Sequence, residues 1–507
     1  MQARPAPLPR AVWIIALVSL CLHLLPRPGY EFHRDELLYL AMGDHLDFFR
    51  MQFPPLIAAL AQFARLLPFD LLTAIHLLPA LALVGIILLT ANMTGMLGGG
   101  AHAQILAAMS LFVAPLFMRT GVLFQPVIFE QLWWCLASVA LVALLSGRAK
   151  SWWLVLGVAA GLSAMTKLSG AVFGMAFVVA VLASPLRRDL RTRWPWLAVA
   201  LALTLAAPSL LGQQFWGWPI FAQLRVLRET QLGHVTPLSF TTGQLFLAGA
   251  AGPLLLIGAL ALWFNAALRP FRCLVVFALV AFGVLLVQHG KDYYFGPVHP
   301  ALFAAGAGAA GQWLSSRRWA WIGAIVFLAT GGLLLLPVGI PLLPPPQMIT
   351  YAARLGLGRV VSTNYGTTLA LPQDYADMTG WREQVDVVAQ VFHALPRAEH
   401  DGAVIVGDNY GRTAAVALYG PALGLPYPIS THGDFYNWGP GERSGDVVIV
   451  IGDDAEDLAR LFGEVTLAAR SRNPLGVDEE QDVPIFICRH PKQPLRGFWH
   501  SLGVDWG

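Results

Sequence analysis

Acidic residues are scarce over the first 344 positions, which hold ten Asp and Glu, whereas the remaining 163 hold twenty. Charged residues make up 12% of the 507 and apolar ones 56%, which excludes a water-soluble globular protein. The uneven acid content divides the chain into a membrane region followed by a water-soluble one. Cysteine is nearly absent. Cys21, Cys135 and Cys273 lie in apolar stretches and Cys488 stands alone, so neither a disulfide framework nor a thiolate metal site is expected. A net charge of +3 without a basic run excludes nucleic acid as a partner and gives no polybasic tail. The apolar run at 11–25 lacks a small-x-small cleavage site before Arg27, so it reads as an uncleaved first span.

A bilayer core about 30 Å thick needs roughly 17 to 25 apolar residues per helix. Charges, Gly and Pro divide the first region into about eleven such segments, starting near 11, 72, 101, 126, 152, 171, 195, 244, 271, 297 and 319. With eleven spans, the basic loop residues Arg4, Arg10, Arg148, Lys150, Arg187, Arg188, Arg191, Arg193, Arg269, Arg272, Arg317 and Arg318 all fall on one side. The positive-inside rule makes that side cytoplasmic. The expectation is therefore a multi-pass inner-membrane protein: a transmembrane domain at 1–340 with an outer loop at 27–70, a proline-rich linker at 341–346, and a periplasmic domain at 347–507. The linker reads as an extended spacer. Beyond it, β-branched runs at 403–406, 447–451 and 485–488 alternate with helical patterns at 381–395, 412–419 and 455–461, as in a small α/β domain. The Gly407 to Gly411 turn reads as an ordinary βα connection rather than a phosphate loop.

Intramembrane acids are costly and mark functional sites. Glu31, Asp35, Glu36, Asp44, Asp47 and Asp70 all fall in or beside the first outer loop. The stretch HRDELLYLAMGDHL places Leu37, Leu38, Ala41 and Met42 on one face, which suggests a short helix lying in the interface. Asp35 would otherwise be a first-turn acid favoured by the helix dipole.

Several motifs together resemble a known family. They are the Asp-Glu pair followed by Pro-Pro-Leu, FQPVIFEQLWW at the start of the fourth span, GLSAMTKLSG at the end of the fifth, and HGKDYYFGPVHP before the tenth. In this order they resemble bacterial members of glycosyltransferase family 39. These are relatives of the dolichyl-phosphate-mannose protein mannosyltransferases and of the lipid A aminoarabinose transferase, within the GT-C superfamily. The likeness continues more weakly through GDNYGRTAA and THGDFYNWGP. It implies a GT-C-like α-helical polytopic enzyme that moves a sugar from a polyprenyl-phosphate donor to an acceptor hydroxyl, with inversion, on the outer face of the membrane. The implied partners are that donor, membrane lipids, and a lipid, polysaccharide or protein acceptor.

By that resemblance Asp35 is the candidate base, Glu36 orients acceptor or donor, and Glu130 stands where the family more often has Asp. Transfer to a hydroxyl needs a carboxylate to take its proton, and a leaving phosphate needs positive charge or donors. Lys167 and Lys291 are placed for the phosphate, Tyr293 and Tyr294 add hydroxyl donors, and Arg119 and Arg225 are further phosphate contacts. Each also has a plainer reading: Glu130 as a paired acid at a span end, the lysines as snorkelling side chains, and the tyrosines as interfacial anchors. His33, His45, His289 and His299 could join Asp35 or Glu130 in a divalent metal site, although no HExxH spacing supports one. Trp216, Trp218 and the amphipathic stretch at 221–232 read as a cover over the site, or as an aromatic anchor. A secondary transporter is a competing class, but no internal repeat is visible and the acids gather at one face. A non-catalytic lipid-carrier-binding protein of the envelope is the other.

Overall fold

Apolar runs broken by Gly, Pro and short charged loops fold as helices because a membrane leaves backbone groups no partner but one another. A computed structural model describes residues 7–357 and 368–505; Arg4 lies outside them. Among those residues, eleven apolar helical segments start at 10, 71, 101, 126, 152, 170, 193, 237, 273, 299 and 318, each within seven residues of its expected start. Five are long and apolar enough to cross a membrane unaided: Leu71–Met96, Pro126–Leu145, Arg193–Phe215, Pro237–Phe264 and Arg318–Gly339. Ala101–Val113 is shorter because Pro115 holds Ala114 extended, and a second helix, Pro115–Thr120, restarts there. Helices Gly252–Phe264 and His299–Ser315 cross backbone to backbone. A Cβ on Gly258 would lie 2.0 Å from the Leu302 carbonyl, and one on Gly306 would lie 2.0 Å from that of Leu254. Small residues at such crossings let membrane helices pack by close contact.

The loop at 27–70 folds as two helices, Arg34–Asp44 and Leu56–Arg65, closely packed where Gly43 meets Ala61. The first was expected to lie in the interface. Instead Glu36, Leu37, Leu38, Leu40, Ala41, Met42 and Gly43 are all buried, because the C-terminal domain covers the side that lipid and water would otherwise meet. We call it the rim helix.

In the C-terminal domain, strands β1 (Val404–Gly407), β2 (Val447–Ile451), β3 (Phe462–Arg472) and β4 (Asp482–Pro491) form one sheet in the order β1-β2-β4-β3. β1 and β2 run parallel, and β4 is antiparallel to both β2 and β3. The three expected strands are present. β3 was not foreseen because it lies at the edge, mostly exposed, and its sequence FGEVTLAARSR has no apolar run. Helices Trp381–His393, Tyr410–Tyr419 and Ala455–Leu461 occupy the expected positions. The proline-rich linker is not extended throughout. Pro345 and Pro346 open a helix, Pro345–Arg354, since a missing N–H and a fixed φ cost nothing in the first helical turn.

Candidate functional site

His33, Asp35 and Glu36 begin the rim helix, and each has a different task. His33 is the N-cap: its Nδ1 accepts the Asp35 backbone N–H at 3.1 Å. Glu36 closes the capping box by accepting the His33 backbone N–H at 2.9 Å. Its other oxygen accepts the Phe124 N–H at 2.8 Å and meets His76 Nε2 at 2.9 Å. Arg27 hydrogen-bonds the far side of the His76 ring. Burial would raise the Glu36 pKa, but His76, His33 and the Phe124 N–H outweigh it and hold the carboxyl at about 2. Glu36 thus fastens the rim helix to the turn at 123–125.

Asp35 points the other way, into a cavity of about 640 Å³. Gln125 Nε2, on the turn that Glu36 fastens, donates to Asp35 Oδ2 at 2.9 Å, and the Tyr410 hydroxyl donates to Oδ1 at 2.8 Å. Tyr410 opens a helix of the C-terminal domain. Gly411 beside it permits the contact, since a Cβ there would lie 2.8 Å from Arg34 Cγ and 3.0 Å from the Trp381 ring. The carboxylate is therefore gripped from both domains.

The same cavity wall includes Arg119, Lys291 and Tyr293, so with Asp35 four of the nine candidate acids and phosphate contacts share one space. Burial lowers the Lys291 pKa, Tyr294 opposes this, and the charge of Lys167 lowers it further. Lys167 stands behind the wall, its Nζ 4.1 Å from the Tyr294 ring centre and 5.7 Å from that of Tyr293. Arg119 ion-pairs with Asp374 of the C-terminal domain and lies over the Tyr375 ring. Glu36, Glu130, Lys167 and Tyr294 are not in the wall. Glu130 is buried and accepts the Ser169 hydroxyl at 3.1 Å, close enough to feel the charge of Lys167. Arg225 is also outside the wall, although its helix, Ile220–Thr230, covers the cavity through Gln223, Val226, Leu227 and Thr230.

The four histidines His33, His45, His289 and His299 do not converge. His45 stacks on Trp438, His289 bonds the Val235 carbonyl, and His299 bonds Gln244. Among the described residues, the three that could hold an ion together are His33, Asp374 and Asp377, within 4.8 Å of one another. Sequence reading missed Gln125, Tyr410, Asp374 and Asp377. The first two lie inside motifs quoted for the family likeness, FQPVIFEQLWW and GDNYGRTAA, but nothing in the sequence aims either at Asp35. The Gly407 to Gly411 turn is an ordinary connection, with Asn409 capping the next helix by accepting the Arg412 N–H at 2.9 Å.

The model of the family described as dolichyl-phosphate-mannose-protein mannosyltransferase matches residues 52–211. Among solved structures, ArnT from Cupriavidus metallidurans bound to undecaprenyl phosphate is similar at a TM-score of 0.61 and 14% identity, covering 94% of this chain and 97% of that one. The same protein in its apo state gives a TM-score of 0.58 at 16% identity with the same coverage. No curated protein sequence matches the chain. The chain is a multi-pass membrane protein whose fold is similar to that of ArnT, and its residues 52–211 match the protein mannosyltransferase family model.

Proposed function

We propose that this protein is an inverting glycosyltransferase of the outer face of the inner membrane. In this reading it transfers a sugar from a polyprenyl-phosphate carrier to a hydroxyl of a lipid, polysaccharide or protein. The observation that carries the reading is the Asp35 carboxylate, held by Gln125 and Tyr410 in the wall of a cavity that also contains Lys291 and Arg119. A carboxylate fixed by two donors presents its remaining lone pairs to an incoming hydroxyl. The acceptor oxygen forms the new bond to the anomeric carbon as its proton passes to Asp35. The bond from that carbon to the phosphate oxygen breaks, and its electron pair leaves with the polyprenyl phosphate. Lys291 and Tyr293 receive the growing phosphate charge, and Lys167 supports it electrostatically from behind. Val127, Phe246 and Leu247 give the same cavity an apolar wall for the isoprenoid. Glu130 acts at one remove, held by the Ser169 hydroxyl and influencing Lys167 through its charge.

The test is transfer in detergent from a panel of undecaprenyl-phosphate-linked sugars, with mass spectrometry of copurifying lipids to choose the panel. Asp35→Asn should lose at least a thousandfold in turnover while retaining donor binding, and Glu130→Gln should keep more than a tenth of wild-type turnover. Full turnover in Asp35→Asn would refute the mechanism.

A further inference from the structure

Two polar atoms in the wall are not used by this mechanism. His33 Nε2 and Asp377 Oδ1 have no hydrogen-bond partner among the described residues, although their residues are only 3% and 5% exposed. Nε2 is 3.9 Å from Asp377 Oδ2 and 3.8 Å from Asp374 Oδ1, too long for direct hydrogen bonds. All three residues line the cavity that holds Asp35.

A divalent cation is the first ligand that such a trio suggests, but the imidazole decides against it. Nδ1 accepts the Asp35 backbone N–H, so in the neutral ring the proton sits on Nε2. A metal-bound histidine has the opposite arrangement, with its second nitrogen donating. Arg119 already pairs with Asp374, and burial raises the Asp377 carboxyl to about 6 against the fields of His33 and Arg34, so neither is an uncompensated charge seeking a cation. A proton donor beside such acceptors suits a neutral hydroxyl. An oxygen can lie about 2.8 Å from both Nε2 and a carboxylate across a gap of this size, accepting from one and donating to the other.

We propose that His33 and Asp377 form a hydroxyl-binding subsite for a saccharide ring, with Asp374 as its outer edge. The inference rests on the glycosyl-transfer reading and deepens it. Asp35 handles the hydroxyl that reacts, and His33 with Asp377 hold one that does not. The ring is a polyol presented either by the donor or by the acceptor.

The experiment uses the full chain in detergent with whichever carrier-linked sugar supports wild-type transfer, varying donor and acceptor separately. His33→Asn, which keeps a helix-capping side chain, and Asp377→Asn should each raise one KM by about tenfold to a hundredfold and change kcat less than threefold. A rise in the donor KM assigns the hydroxyl to the donor sugar, and a rise in the acceptor KM assigns it to the acceptor. Deoxy analogues of that substrate separate recognition from folding. One of them should lose the same factor against wild type and nothing further against either variant. Unchanged KM values, or no deoxy position showing that pattern, would overturn the subsite even with Asp35→Asn inactive. Loss of transfer on chelation, restored by Zn²⁺ or Mn²⁺ in wild type but not in His33→Asn, would overturn it in favour of a metal. An active Asp35→Asn refutes the transfer mechanism separately.

Discussion

Replacing Glu36 by Gln separates the positioning of the site from its chemistry, because Glu36 touches no part of the cavity. Its carboxylate is 0% exposed and meets the His33 N–H, the Phe124 N–H and His76. An amide has one oxygen for these partners and turns an N–H toward at least one of them, leaving a buried donor unpaired. The depression of the Glu36 pKa from 4.5 to about 2 gives the scale of the loss. At 1.36 kcal/mol for each pH unit, it corresponds to at most about 3 kcal/mol of folding stability. The unfolded chain binds the extra proton between the two values, so this contribution is complete above about pH 4.5 and disappears as the pH falls toward 2. Thermal unfolding of wild type and Glu36→Gln in detergent, followed from pH 7 down to pH 3, should show wild type clearly more stable at neutral pH and the two curves converging in acid. A gap that stays constant with pH, or no gap, would refute the assignment of the charge to this network.

Tyr410→Phe removes one hydroxyl from Asp35 and leaves Gln125 in place. We expect kcat/KM to fall about tenfold with an unchanged thermal midpoint; a full rate would mean that the tyrosine does not hold the base. Asp434, buried in the C-terminal domain, accepts the Gln52 N–H at 3.2 Å, and burial raises its pKa to about 7. Its folded-state pKa lies above the unfolded value of 3.8, so its stabilising share is whole below about pH 4 and lost as the pH rises through 7. Asp434→Asn keeps the acceptor without the charge, and should unfold at a higher temperature than wild type at pH 8, with the advantage shrinking as the pH falls and gone by about pH 4. Equal midpoints at pH 8 would mean that burial does not raise the pKa of this carboxyl.

Most of the membrane fold was legible because long apolar runs and their basic loops answer to one physical constraint, the thickness of the bilayer. The helix starts at 71, 101, 126 and 152 follow from Gly, Pro and charge alone. The position of Asp35 in the loop between the first two apolar segments was legible for the same reason. What grips it was not. Gln125 is 90 residues away in sequence and Tyr410 is 375 away, and neither carries a charge that composition or periodicity would flag. Glu36 illustrates the opposite case. An Asp-Glu pair suggests two reactive acids, yet successive helical residues point about 100° apart. Asp35 consequently enters the cavity while Glu36 turns into the protein. The burial of the rim helix also depends on a domain whose docking no local pattern encodes.

That docking changes what a truncation can reveal. The C-terminal domain gives the rim helix its backbone partners, with Glu31 N–H donating to the Met378 carbonyl at 2.8 Å and Arg34 N–H to that of Asp377 at 3.0 Å. It also gives Asp35 the Tyr410 hydroxyl. Removing residues 345–507 would therefore uncover part of the rim helix, strip the Glu31 and Arg34 N–H groups of their acceptors and release one oxygen of the base, whatever the domain does for acceptor binding. A dead truncation would be uninformative about docking, because the three losses together end activity whatever the domain does for acceptor. Point changes at the contact are the sharper instrument: Tyr410→Phe touches the base alone, while Asp377→Asn touches the proposed subsite and leaves the carbonyl that receives Arg34. If the domain only recruits acceptor, neither change alters the rate at saturating substrate. If it completes the site, as the two-sided grip on Asp35 implies, Tyr410→Phe lowers kcat with acceptor in excess.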